Sequence, residues 1–231
     1  MKSEIIAIDG GAGTGKTTSA ALVAERLGFC YVDSGAVYRA VALALHGAGI
    51  RRADDPALAE ALGRLALRIE PTPTAFRVFL GPRELGLELR SPEISHLSSA
   101  LAVRSEVRER VTELLRAAAS LGHLVVEGRD IGTVVFPDAT LKVFLQAELM
   151  VRARRRRLDL ARQGREQSEE QVARDLAERD QRDSSRSEAP LRRAPDALLV
   201  DTSATDIEGQ VQQILDAYRR ARAREEGTDR P

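Results

Sequence analysis

The sequence predicts an α/β fold, a parallel sheet layered between helices, and three observations predict it. Short continuous apolar runs recur along the chain, the pattern of strands buried on both faces. Between several of them, apolar residues fall at i, i+3, i+4 and i+7, the pattern of helices packed on one face. The first apolar run opens onto a glycine-rich turn that leads straight into such a helix.

Ile5-Ile6-Ala7-Ile8 is the first strand, and Ala20, Val23, Ala24 and Leu27 mark a helix from Thr17 to Leu27. Gly28 stands where a helix end favours a left-handed residue. Phe29 to Val32, Leu124-Val125-Val126, Leu141 to Leu145 and Ala197 to Val200 supply four more strands. Between Gly35 and Gly122 this rhythm breaks. A helix is expected over Gly35 to Leu45. Asp55 and Pro56 read as a cap and first position for another, with Leu58, Ala61, Leu62 and Leu65 on one face. Phe76 to Leu80 and Arg83 to Leu89, joined by Gly81-Pro82, read as a hairpin, with Leu85, Leu87 and Leu89 alternating inward. Val107, Val111, Leu114, Leu115 and Ala118 mark a long helix after it.

An arginine-dense helix follows, Val151 to about Gln163, stopped by Gly164. Ser168 and Gln171 form a capping box for the next helix, and Thr205 and Glu208 form one for the last. Ile207, Val211, Ile214, Leu215 and Tyr218 line the last helix's apolar face. These bounds give one unit: a core over about 1–34, 123–150 and 190–220, an inserted lobe over 35–122, an arginine-rich helical segment over 151–189 that reads either as a solvated face or as a lid, and a frayed, charged tail over 222–231.

Composition narrows the class. Lys+Arg and Asp+Glu are both 35, so the chain lacks the basic surplus of a general nucleic-acid binder. Aromatics are 3%, too few for a base-stacking platform. The single cysteine, Cys30, excludes an internal disulfide and a thiolate cage, and reads as a small buried residue. No stretch of about 18 apolar residues reads as a membrane span. A cytoplasmic, monomeric protein is expected.

Gly10-Gly11-Ala12-Gly13-Thr14-Gly15-Lys16-Thr17 matches G-x-x-x-x-G-K-[ST] in full, between a buried strand and a helix. Glycines let the backbone N–H groups turn inward on phosphate oxygens, and the helix N-terminus adds its positive end. Lys16 suits the β- and γ-phosphates, Thr17 suits Mg²⁺, and Thr18 completes the rim of an ATP site. The fold class is therefore a P-loop NTPase sandwich.

Two polar stretches follow strands, where ligands of open α/β sheets bind: Asp33-Ser34-Gly35-Ala36-Val37-Tyr38-Arg39 and Glu127-Gly128-Arg129-Asp130-Ile131-Gly132-Thr133. Arg179, Arg182, Asp183 and Arg186 share one helix face, read either as a solvated stripe or as a phosphate and ribose surface. Arg152, Arg154, Arg155, Arg156 and Arg157 cannot all face one site; at most two or three of them are expected at ATP, Arg155 and Arg156 foremost, the rest being solvated.

The motif around Lys16, the Asp33 to Arg39 stretch, Glu127 through Val134-Val135-Phe136-Pro137-Asp138-Ala139, Arg179-Asp180 with Arg182-Asp183, and Ala189-Pro190-Leu191 together resemble the bacterial cytidylate kinases, over about Glu4 to Tyr218. Gly11 departs from the proline that the family often carries there. The resemblance implies a nucleoside-monophosphate kinase that phosphorylates CMP and dCMP with ATP and Mg²⁺. It implies Ser34, Tyr38, Arg39, Arg129 and Arg186 at the acceptor, the arginines chiefly on its phosphate. Ser99, Arg108 and Asp130 are implied at cytosine, and Arg179 and Asp183 on the ribose side. Lys16, Arg129, Arg179 and Arg182 are the implied catalytic set.

A phosphate acceptor is already ionised, so no general base is needed and no catalytic His or Cys is expected. His46, His96 and His123 read as structural. A kinase for another small acceptor is the nearest alternative. A switch or nucleic-acid-remodelling NTPase is the other, and it would want an apolar strand ending in a water-positioning acid, which is not evident.

Overall fold

The computed structural model describes residues 3–71, 76–162 and 164–228. Gln163, the last residue expected in the arginine-dense helix, and tail residues 229–231 lie outside them. Five strands form the parallel sheet, in the order β2-β6-β1-β7-β8: β1 (Ile5–Gly10), β2 (Cys30–Asp33), β6 (Leu124–Gly128), β7 (Leu141–Gln146) and β8 (Leu198–Asp201). β1 lies in the middle, with Asp9 opposite Gly128 on one side and Gly10 opposite Leu145 on the other.

Strand alternation builds both halves of the core. Ile6 and Ile8 point to a layer made by α1 (Lys16–Leu27) and α8 (Ile207–Thr228), where they meet Val23, Ala24, Val211 and Ile214. Ile5 and Ala7 point the other way, to α2 (Ser34–Gly47) and α5 (Ser105–Ala119), against Val37, Val41, Val111 and Leu115. Both faces are thus covered, which is why the strands read as unbroken apolar runs. Gly28 takes the expected left-handed conformation, φ 66°, and its N–H caps α1.

Between β2 and β6 the chain departs from the sequence reading in four places. α3 is only Leu58–Gly63, because Asp55 folds into a turn and accepts from the Ala57 N–H instead of capping a helix at Pro56. The hairpin is a three-stranded antiparallel sheet, β3 (Leu67–Pro71), β4 (Phe76–Leu80) and β5 (Arg83–Leu85), with β3 unforeseen. The alternation at Leu87 fails: after Gly86 the chain makes a 3₁₀ turn, Leu87–Arg90, which buries Leu89 and leaves Leu87 84% exposed. An unforeseen helix, α4 (Pro92–Leu101), is capped by Ser91, whose Oγ accepts from the Ile94 N–H.

The C-terminal half follows the expectations more closely. α6 (Leu149–Arg162) and α7 (Glu169–Ser184) form an antiparallel two-helix arm, and Ser168 caps α7 by accepting from the Gln171 N–H. α8 differs at both ends. Asp206 caps it by accepting from Gly209 N–H, while Glu208 pairs with Arg26 across the surface. The helix also runs on to Thr228, past the expected fraying point, after Arg222 pairs with Glu4 of the first strand's approach. Cys30 is partly exposed. His123 stacks on Phe29 at 4.9 Å between ring centroids and accepts from the Glu4 N–H, a structural role as expected.

Candidate active site

β1 delivers the chain into a tight curl. Gly10, Gly13 and Gly15 take positive φ of 155°, 77° and 89°. At Gly10 the need for glycine is also spatial: a Cβ there would lie 2.3 Å from the Leu145 carbonyl oxygen of β7. Gly11 and Ala12 complete the curl. Thr14 is buried and donates to the Gly11 carbonyl; Thr17 and Thr18 stand exposed at the start of α1.

Lys16 is buried, and its Nζ donates to the Gly11 carbonyl at 2.6 Å. Desolvation, aided by the positive charges of Arg129 and Arg179, pushes its pKa down to about 7; Glu127 and Asp9 pull the other way. An anion brought beside Nζ opposes both depressing effects, so this lysine is poised to gain from phosphate.

Glu127 is the acid that the sequence reading did not find. It ends β6, an apolar strand, directly beside the strand that feeds the loop. It is buried, and desolvation followed by the charge of Asp33 raises its pKa, while Lys16 and the hydroxyls of Tyr31 and Thr17 favour its ionised form. The Tyr31 hydroxyl donates to it, and burial pushes the Tyr31 pKa up. Leu124-Val125-Val126-Glu127 is visible in the sequence; that β6 borders β1 is not.

After Glu127 the chain enters the second polar stretch. Gly128 has no room for a side chain, since a Cβ would sit 2.6 Å from Ser34 Oγ. A π-helical turn follows, Ile131–Val135. Asp9, the residue before the glycine loop, holds its start: Oδ1 accepts from the Ile131 N–H and Oδ2 from the Gly132 N–H, each at 2.8 Å. Burial raises the Asp9 pKa to about 6, against the lowering effect of those two bonds.

Most of the remaining expected residues gather in two clusters at the C-terminal ends of β2 and β6. In the first, Arg108 of α5 pairs with Asp130, both buried, and donates to the Ala102 carbonyl; its guanidinium carbon lies 5.9 Å from the Tyr38 ring centroid. Desolvation raises the Asp130 pKa while Arg108 opposes it. In the second, Asp183 of α7 accepts from Arg129 Nε at 2.9 Å and from Arg186, so one buried carboxylate holds two guanidiniums. Despite its burial, Arg129 and Arg186 keep the Asp183 carboxyl below its usual range.

Arg179 joins this cluster from the same helix. Desolvation in the cleft and the charge of Arg129 push it down to about 10, which still lies well above neutral pH and keeps it a cation there. Arg39 pairs with Asp33 at 2.9 Å, and Ser34 is buried at the head of α2.

Four expected residues sit elsewhere. Ser99 of α4 faces Arg182 and Arg186 across a cavity of about 340 Å³. Arg182 is exposed and, among the described residues, donates to the Glu178 carbonyl of its own helix at 3.4 Å. Arg155 donates twice to Thr202, after β8, and Thr202 in turn donates to the Thr14 carbonyl, so Arg155 braces the loop from behind. Arg156 is exposed, with its charge felt by Arg179. Of the arginine run it is Arg152, not singled out by the sequence reading, that touches the glycine loop, through the Ala12 carbonyl at 3.1 Å.

A central strand running into a phosphate-type cradle, at a cleft ringed by arginines, defines a P-loop phosphotransferase. The cytidylate kinase family model matches residues 6–220. A cytidylate kinase of Cupriavidus necator is 46% identical over 214 residues, 93% of this chain and 95% of its own length. That of Exiguobacterium sp. is 44% identical over 92% of this chain and 95% of its own, and that of Desulfitobacterium hafniense 45% identical over 94% of each. The chain belongs to the cytidylate kinase family. Among solved structures, an uncharacterized protein from Eubacterium ventriosum shares the fold, with a TM-score of 0.54 at 13% identity over 94% of this chain and 99% of its own.

Proposed function

We propose that this kinase transfers the γ-phosphoryl group of ATP to the phosphate of CMP or dCMP, giving ADP and CDP or dCDP. The observation that carries the reading is the buried Arg108–Asp130 pair at the cleft, in a chain of the cytidylate kinase family. Cytosine offers an amine donor beside ring acceptors, so an Asp carboxylate and an Arg guanidinium match it edge to edge. Uracil presents an acceptor in place of the amine, which would leave the carboxylate facing a like partner.

The ATP phosphates lie in the loop of Gly10 to Thr18, with Lys16 on the β- and γ-oxygens. The Thr17 hydroxyl and the Glu127 carboxylate are hard oxygen donors close together, and they fit Mg²⁺, which favours few protein ligands beside phosphates. Bound there, the ion screens charge on the phosphate oxygens. The α6–α7 arm acts as the lid and the segment between β2 and β6 as the acceptor lobe. Arg39, Arg129 and Arg186 take the acceptor phosphate, and Asp183 with Arg179 the ribose side. The acceptor oxygen arrives ionised, so catalysis consists of aligning two anions in line and balancing their charge.

The test is ADP production from ATP and Mg²⁺ with CMP, dCMP, UMP, AMP or GMP offered separately. Turnover confined to CMP and dCMP is the expected result. Glu127 favours a second outcome worth measuring, hydrolysis with no acceptor present; steady hydrolysis without transfer to any monophosphate would overturn the reading.

A further inference from the structure

The contact between the two-helix arm and the glycine loop is built from several independent parts. The buried Arg152 donates from Nε to the Ala147 carbonyl beyond β7 at 3.0 Å, and from Nη1 to the Ala12 carbonyl and to Asp180 of α7. The Ala12 methyl belongs to the arm's own apolar core, with Ala153, Leu160, Val172, Ala173 and Leu176.

Two loop glycines make room for this contact. A Cβ on Gly11 would lie 3.1 Å from Asp180 Oδ1 and 3.2 Å from Arg152 Nη1; one on Gly13 would lie 3.2 Å from Arg152 Cβ. Asp180 Oδ1 is itself buried with no hydrogen-bond partner among the described residues, a cost tolerated while Oδ2 holds Arg152. The same helix carries Arg179 beside Asp180 and Asp183 one turn on, and Asp183 is already tied to Arg129. Fixing Asp180 therefore fixes how α7 presents both residues to the cleft.

We propose that Arg152 and Asp180 are positioning residues that lock the glycine loop to α7, so that the donor cradle and the Arg179–Asp183 face are held in one register. The pair touches no reacting atom; it acts through the Ala12 carbonyl and through the rotation of α7. This rests on the phosphotransfer reading of the cleft, but its consequence for ATP binding does not require an acceptor.

Two readouts test it: the ATP dissociation constant by calorimetry, and steady-state kcat and KM with CMP. The proteins are the full chain and its Asp180→Ala, Asp180→Asn and Arg152→Lys variants, with the Arg152→Lys/Asp180→Ala double variant. Asp180→Ala weakens ATP about tenfold and lowers kcat by a similar factor, with the melting temperature within a few degrees. Asp180→Asn recovers most of the loss, because its amide oxygen still accepts from Arg152. The double variant is no worse than the poorer single, since both break one contact. Unchanged ATP affinity and kcat in Asp180→Ala, or losses that multiply in the double variant, overturn the proposal. If wild type binds ATP but leaves CMP untouched, the functional reading fails while the affinity arm still decides this one.

Discussion

The two ends of the cleft are made by different means. The end proposed for the donor is mostly backbone: three glycines with positive φ around the buried cation Lys16. The acceptor end is mostly side chain: Arg108–Asp130, Arg129–Asp183–Arg186 and Arg39–Asp33, each gathered from different elements. A backbone site is fixed by torsions and tolerates most side-chain change, but fails outright where a torsion or a close approach is violated. A site of paired charges is graded: each substitution uncovers one partner and costs in proportion to its burial. A phosphate chain shared by every ATP user suits the first, and discrimination among monophosphates suits the second.

The sharpest break should come at Gly10. Alanine there meets the Leu145 carbonyl at 2.3 Å at a positive φ, and both atoms belong to paired strands. Gly10→Ala should lose ~3 kcal/mol or more of folding stability by denaturant titration. A loss below ~1 kcal/mol would show that the loop yields where the close approach demands rigidity.

Lys16→Met separates chemistry from folding at the same end. Transfer should fall by about a thousandfold, because the moving charge loses its cation. Stability should move the other way. The folded pKa, about 7, lies below the ordinary 10.5, so the unfolded chain holds the extra proton between those values. The lysine's cost is full below about pH 7 and fades as pH rises toward 10. The variant is therefore more stable than wild type at pH 6, by a few kcal/mol, and the advantage shrinks by pH 10. Melting curves across that range check the sign; an advantage that grows with pH would contradict it.

At the acceptor end, Asp183→Ala leaves Arg129 and Arg186 crowded without their shared carboxylate. Breaking a buried pair on one side costs ~3 kcal/mol, so kcat/KM for CMP should drop about a hundredfold. KM for ATP should stay within about threefold. Equal losses toward both substrates would erase the division between the two ends.

The same contrast explains what the chain disclosed before folding. The donor end is contiguous, and Gly10 to Thr17 could be assigned from spacing because a strand precedes it and a helix follows. The acceptor end is assembled across distance. Arg108 meets Asp130 across 22 residues and Arg129 meets Asp183 across 54, pairings that no local pattern encodes. Glu127 was visible as an acid closing an apolar run, but its nearness to Lys16 follows only from β6 bordering β1. In the inserted segment, Leu85, Leu87 and Leu89 kept a strand's period while the backbone turned at Gly86. β3 escaped notice because Leu67 and Ile69 follow directly on a helical pattern, with exposed Arg68 between them. Arg155 had the right composition for ATP and a different partner, Thr202.

The most direct measurement is the ratio of kcat/KM for CMP to that for UMP in wild type and in Asp130→Ala. Wild type should favour CMP by about a hundredfold or more, and the variant should lose most of that preference, chiefly through CMP. A variant that is slower with both nucleotides yet keeps the full ratio would show that the Arg108–Asp130 pair supports the cleft without reading the base.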